Sequence, residues 1–396
     1  GRNDIWTVSS HPAALNRTEH RHRLFINTGD ANFGESPDLS LQQAGERIIL
    51  APGDYNADGR TDLFVGSHSV PGSGHATGSR LLRNDGGTFV DLTGETAPAL
   101  ARLTTVTDAA WADIDGTGTL DLLVAGEWMA PTLLLNDDGR LADATAGSGL
   151  EDLTGWWQTL AVADFDRDGD PDVIAGNLGL NHPLHPSPDV PFELYVGDFD
   201  RDGQEESIPA YHVAGALYPW FGRDRMASML PWVSERYPTL DAFARATLSE
   251  VLNPVGVRGA RRFDVRTLNT TYLQNVGAGQ FEPRPLPRAA QVSVAAGVVP
   301  TDFDGDGNID LVIAGNLHLF DHSVPRLDGG VGLYLRGDGA GGFVAVQPAA
   351  SGLWLEGEVR ELMMLRVGPG GHPALIAAVA GGEALLVRSY RSATAG

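Results

Sequence analysis

The chain of 396 residues has no cysteine, and all 28 of its basic residues are arginine. Without cysteine there is no disulfide framework, no zinc–thiolate site and no thiol nucleophile. Without lysine there is no Schiff-base chemistry and no P-loop cation. No apolar run approaches the ~18–20 residues of a membrane-spanning helix. Bases are outnumbered by 51 acids, for a net charge of −23, which excludes a general nucleic-acid binder because phosphate contacts need a basic face. The nucleophile elbow, the Walker loop and the strand-to-helix dinucleotide fingerprint are all missing. What is abundant is glycine (50) and proline (24), set between short apolar runs, with 42% apolar residues overall. That is the composition of a folded chain rich in turns and strands.

One acidic pattern recurs: Asp-x-Asp/Asn-x-Asp-Gly-x-x-Asp, then a short apolar run, then Gly. It reads Asp54, Asn56, Asp58, Asp62; Asp164, Asp166, Asp168, Asp172; and Asp302, Asp304, Asp306, Asp310. Two copies vary: Asp113, Asp115, Thr117, Asp121, and Asp198, Asp200, Asp202, Glu206. The opening Gly1-Arg2-Asn3-Asp4 fits the end of the same frame, so the chain is expected to start inside a repeat. Between the acidic loops lie hairpin signals, apolar runs leading into Asn or Asp with Gly, as at Asn84-Asp85-Gly86. Units of about 50 residues with three or four strands are the size of a propeller blade. The apolar runs do not alternate with polar residues, so they read as strands buried on both faces. The expectation is an all-β fold, a single β-propeller domain over 1–396. The partial first unit, five full copies and a last unit at Glu358–Tyr390 give seven blades; a sandwich of the same strands is the alternative. Residues 213–267 lose the β pattern and are read as a helical insertion on one rim. One helix is predicted over Leu240–Leu252, capped by Thr239, and a shorter one over Arg223–Glu235 around Pro231.

Oxygens at places one, three and five, a backbone carbonyl at seven and a carboxylate at nine can surround one hard cation, with Gly at six allowing the sharp turn. The carbonyl donors are expected from Arg60, Thr119, Asp170, Gln204 and Asn308. All-oxygen ligation in a flexible loop favours calcium over magnesium, zinc or copper. An EF-hand is excluded because place twelve is Val65, Val124, Ala175 or Ile313, not Glu, and a strand follows. About five structural Ca²⁺ ions are expected, offsetting the repulsion among carboxylates that share a loop.

These repeats resemble the FG-GAP (VCBS) repeat family, whose blades also build the calcium-carrying seven-bladed head of integrin α-subunits. Closer still is the similarity to bacterial secreted VCBS proteins related to cartilage acidic protein and the UnbV group. It is carried by Thr154-Gly155-Trp156-Trp157, Ala163-Asp164-Phe165-Asp166 and Ala175-Gly176-Asn177-Leu178-Gly179-Leu180-Asn181, and by Pro219, Arg223-Asp224 and Pro231. The resemblance implies calcium at Asp54, Asp113, Asp164, Asp198, Asp302 and their partners. It fixes no single function, since members serve adhesion, ligand binding and, less often, lyase or dehydratase chemistry.

Residues just after the apolar strands fall on one rim if the repeats superpose. His68, Trp128, His182 and His318, with Trp220 and Arg223 from the insertion, are the candidate ligand-binding residues; no catalytic residue is assigned. The competing reading has the tryptophans packing the insertion and Arg223 pairing with an acid. His182/His185 and His318/His322 have spacings seen in metal sites, a weak signal here. The expected function is an extracellular, periplasmic or cell-surface binding or adhesion module for a glycan or protein, part of a larger envelope protein. The alternative is a polysaccharide lyase or dehydratase on the same scaffold, which needs His182, His318 and Arg223 to converge.

Overall fold

A computed structural model of the chain describes residues 5–7, 23–29, 32–35, 47–72, 77–318, 326–367 and 372–388. Gly1–Asp4, His322 and the loop Gly368–Gly371, on which sequence expectations fell, lie outside the described residues. The fold is all-β, built from antiparallel sheets. The first sheet holds Ile5–Thr7, Arg23–Gly29 and Asn32–Glu35. The second holds Arg47–Gly53, Asp62–His68, Arg80–Asn84 and Phe89–Asp91. The third holds Val106–Ala112, Asp121–Met129, Thr132–Asp137 and Arg140–Asp143, with Gly155–Trp156 added beside Asp121–Met129. The fourth pairs Thr159–Ala163, Asp172–Gly176, Thr271–Asn275 and Phe281–Pro285. The fifth is Ala216–Pro219, Glu206–Val213, Phe192–Gly197 and Arg261–Val265. The sixth is Gly297–Thr301, Asp310–Ala314, Leu333–Gly337 and Phe343–Val346, and the seventh Val359–Val367, His372–Val379 and Leu385–Arg388.

The strand after the acidic loop is buried over most of its length in the second, third, fourth and sixth sheets, as its unbroken apolar run predicts; Glu206–Val213, after the loop at Asp198, is buried only at Ile208 and Ala210. Asp172–Gly176 and Asp310–Ala314 are buried at every position. The last strand of the fourth sheet, Phe281–Pro285, is by contrast exposed beyond its first residue. Buried strands need cover on both faces, and neighbouring sheets supply it. The leading strands of the second, third, fourth, sixth and seventh sheets lie side by side in that order. A separate apolar cluster fills each gap: Phe64 and Leu81 with Leu122 and Val124; Leu123 and Leu133 with Val173 and Leu273; Ile174 and Tyr272 with Leu311 and Leu335; Val312 with Leu362 and Leu375. The glycine that closes each apolar run marks the closest approach. A methyl on Gly66 would lie 2.7 Å from Val106 Cγ1, and one on Gly176 would strike the Ala295 carbonyl.

The fifth sheet breaks the succession. Ala175 of the fourth sheet pairs with Thr271, so everything from Asn177 to Thr270 is inserted between two hydrogen-bonded strands. The acidic loop at Asp198 therefore belongs to a nested sheet, not to a successive unit as the spacing of motifs suggested. An aromatic and aliphatic cluster of Trp156, Leu178, Phe192, Val265 and Val294 docks it, and its other side is covered by helices. Each predicted helix is split in two. Arg223–Met229 and Trp232–Arg236 meet at Pro231, which has no N–H to continue the first. Leu240–Ala244 is capped by Thr239 as expected, but Thr247 and Glu250 form a capping box that starts a new helix, Leu248–Gly259.

Candidate metal sites in the acidic loops

All five loops share one backbone conformation. The amide of the sixth-place glycine donates to the first-place Asp in each: Gly59 to Asp54 (2.8 Å), Gly118 to Asp113 (2.9 Å), Gly169 to Asp164 (3.2 Å), Gly203 to Asp198 (3.1 Å) and Gly307 to Asp302 (3.1 Å). Those glycines have φ between 82° and 100°. The fourth place is left-handed too, and in three loops it is not glycine: Ala57 (φ 55°), Arg167 (64°) and Arg201 (63°). That conformation is costly for a side-chain-bearing residue and persists where the surroundings over-determine it. In the seventh-place set, the amides of Arg60, Asp170, Gln204 and Asn308 donate to the fifth-place Asp at 2.8–2.9 Å. Thr119 instead bonds Thr117 and the Asn136 carbonyl through its hydroxyl.

The ninth-place carboxylate ties the loop to the sheet. Asp62, Asp121, Asp172 and Asp310 are fully buried. Asp172 accepts from the amides of Phe165 (3.1 Å) and Asn275 (2.8 Å) and from the Tyr272 hydroxyl (2.8 Å). Asp310 repeats this with Phe303, Gly337 and Tyr334, and Asp121 with Ile114 and Asn136. Asp62 accepts the Asn84 amide, and the half-buried Glu206 the Phe199 amide. Burial pushes the Asp172 carboxyl up to about 6, against the pull of its donors, and raises Asp62, Asp121 and Glu206 as well.

Carboxylate oxygens converge within 4.8 Å in four loops: Asp113/Asp115/Asp121, Asp164/Asp166/Asp172, Asp198/Asp200/Glu206 and Asp302/Asp304/Asp306. These clusters could hold metal ions. The first-place oxygens Asp113 Oδ1 and Asp164 Oδ1 are buried and meet no hydrogen-bond donor, and in the first loop the ninth-place Asp62 Oδ2 is left in the same state. A buried anionic oxygen without a donor is costly, and a hard cation satisfies it. The donor set, all oxygen, fits such an ion. The first loop forms no such group among the described residues: its third place is Asn56, and Asp58 is held by Arg60 at 2.7 Å.

Two of the six rim candidates come together. Trp128 (φ 60°) packs edge-on to Trp156 at 5.0 Å and stacks on Phe192 at 5.6 Å; Trp220 meets Phe192 at 5.7 Å and Tyr211 at 5.5 Å. They join the nested sheet to the third. The other four are held separately. His68 Nε2 lies 3.4 Å from Glu127, and His318 3.8 Å from the buried Glu358. His182 spends both nitrogens on backbone, Nε2 donating to the Gly179 carbonyl (2.9 Å) and Nδ1 accepting from the Leu184 amide (3.1 Å). Arg223 donates to the Tyr237 carbonyl (2.6 Å) and to Asp224 (2.7 Å).

Sequence reasoning missed the hairpin asparagines. Asn136 Nδ2 donates to the Tyr55 carbonyl in the preceding sheet's loop (2.7 Å), and Asn275 Nδ2 to the Ile114 carbonyl (2.8 Å). The signal was present as the Asn of each Asn-x-x-Gly or Asn-x-Gly turn, read only for its turn geometry. It also missed the buried Glu193, which accepts from Tyr195 (2.5 Å) beside His212 and Arg262.

Residues 1–65 and 113–175 match the family model for FG-GAP-like repeats, in agreement with the resemblance carried by the acidic loops. No curated protein matches the chain. Among solved structures, the biofilm matrix protein Bap1 of V. cholerae is similar over 84% of this chain, with 15% identity and a TM-score of 0.29. The match spans 43% of that protein's length.

Proposed function

We propose that this chain is a calcium-stabilised β-propeller that works outside the cytoplasm as a binding or adhesion module for a glycan or protein. The observation that carries the calcium is the pair of buried, donorless oxygens at Asp113 and Asp164, set in loops of one repeated geometry. Calcium is structural in this reading: it relieves the ninth-place carboxylates that burial holds against ionisation. Sites of this type fill at the high calcium concentrations found outside cells, which supports an extracellular, periplasmic or surface location. The five side-by-side sheets act as blades, with the first sheet closing the ring against the seventh. Met363 and Leu386 support closure, since they share the exposed face of the seventh sheet that points away from the sixth. The nested sheet and its helices stand off this frame and present ligand-binding surface. Among the described residues His182, His318 and Arg223 each have their own partners and form no common acid/base set, so binding is preferred to lyase or dehydratase chemistry.

The test is calorimetric melting with calcium and with chelator. Each site filled at a hundred times its dissociation constant adds about 2.7 kcal/mol, so four loops should raise the melting temperature by roughly 10 °C or more. An unchanged curve after thorough chelation defeats the proposal.

A further inference from the structure

A groove of about 400 Å³ lies between the fourth acidic loop and the insertion helices, lined by Phe199, Arg201, Trp232, Arg236 and Val251. Phe199 and Arg201 are the second and fourth places of the loop Asp198–Glu206; Trp232 and Arg236 flank one short helix. In a chain of net charge −23, two exposed arginines meeting at one groove are out of character. Of their neighbouring acids, Glu205 pairs with Arg261, while Glu250 accepts from the Thr247 amide and hydroxyl and also feels the charge of Arg236, so Arg201 is the less compensated of the two. Arg201 is fixed at the lip by its left-handed backbone (φ 63°), and Arg236 sits over the Tyr237 ring at 5.6 Å. Trp232 is anchored by its indole N–H on the Val251 carbonyl (3.2 Å) and is half-buried.

We infer that this groove binds a carboxylate-bearing saccharide, with Arg201 and Arg236 holding the carboxylates and Trp232 and Phe199 facing the sugar ring. Guanidinium forks match carboxylate geometry, and aromatic walls suit the apolar face of a pyranose. The acids Asp198, Asp200 and Glu206 behind Arg201 repel an anion while the loop carries no cation. Saccharide and divalent cation therefore favour each other's binding, and the coupling is reciprocal. The inference rests on the reading of the chain as a ligand-binding module and names the ligand class and its place.

The experiment is isothermal titration of the full chain with a uronic-acid hexasaccharide, with calcium-matched blanks. Controls are its carboxyl-reduced neutral form and a polyglutamate peptide. Binding should weaken about tenfold or more for the neutral sugar, for the peptide, after chelation, and in Arg201→Gln/Arg236→Gln. Trp232→Phe should fall in between, and melting curves of the variants report their folding. Equal binding of the neutral sugar or of the peptide overturns the inference. If the wild type binds the uronate and a folded double variant binds it equally, the groove is wrong while the module reading stands. If the wild type binds no saccharide or protein ligand at all, both fall.

Discussion

The first and third acidic loops have the same backbone and different chemistry. Both place a left-handed residue fourth, Ala57 or Arg167, and a left-handed glycine sixth, and both donate that glycine's amide to the first Asp. In the third loop, Asp164, Asp166 and Asp172 converge and Asp164 Oδ1 is left without a donor. In the first, Asn56 removes one charge and Arg60 takes Asp58, so the buried, donorless Asp62 Oδ2 has no converging group of three carboxylates around it among the described residues. The turn is set by amide-to-carboxylate bonds and glycine; the capacity to hold an ion is set by how many carboxylates converge. A motif can therefore keep its shape while its affinity for a cation declines.

The largest test of this contrast is Asp172→Ala. It strands the amides of Phe165 and Asn275 and the Tyr272 hydroxyl, and each buried unpaired donor costs ~1–3 kcal/mol, so a loss on the order of 4 kcal/mol is expected in denaturant unfolding. Asp62→Ala, which strands the Asn84 amide, should cost roughly half as much; equal losses erase the distinction. Next, Asp164→Asn should lower calcium affinity at its loop about thirtyfold or more, while Asp54→Asn changes the calcium isotherm little. Comparable losses at both loops would mean that the first loop is an equally good site.

The third test uses pH. Burial raises the folded-state pKa of Asp172 to about 6, above its ordinary 3.8. In the calcium-free protein, a raised carboxylate favours the fold below the unfolded value, and that contribution is lost as pH rises through about 6. Calcium reverses the sign, since protons compete with the ion. The stabilisation by calcium should therefore shrink by an amount on the order of 2 kcal/mol between about pH 7.5 and about pH 5. A gap between the two melting curves that does not change with pH contradicts this. The smallest effect is Arg60→Gln, which frees Asp58 and should tighten calcium at the first loop about threefold to fivefold; no gain means the arginine is a bystander.

The acidic loops and the buried strands behind them were legible because their signals are local: a carboxylate at every second place, a glycine at six, an unbroken apolar run. The closing glycines were visible as letters, but their cause is the next sheet's backbone, as at Gly176 and Ala295. The nesting of the fifth sheet was not legible, because a motif carries no record of which strand its neighbour pairs with. Only the register of Ala175 on Thr271 reveals it. The split of Leu240–Leu252 was readable in principle from Thr247 and Glu250, a start signal that the helical spacing masked. The rim residues were placed by superposing repeats, which locates a strand end and says nothing of tertiary partners. His182 and Arg223 thus show their backbone bonds only in three dimensions.

The entry and exit of the insertion are adjacent rungs of one ladder. A detour whose ends already touch adds little further closure entropy as it lengthens, since that cost grows only logarithmically. The host sheet is thus a socket: the length of the excursion it carries is nearly free of the stability of the ladder that holds it.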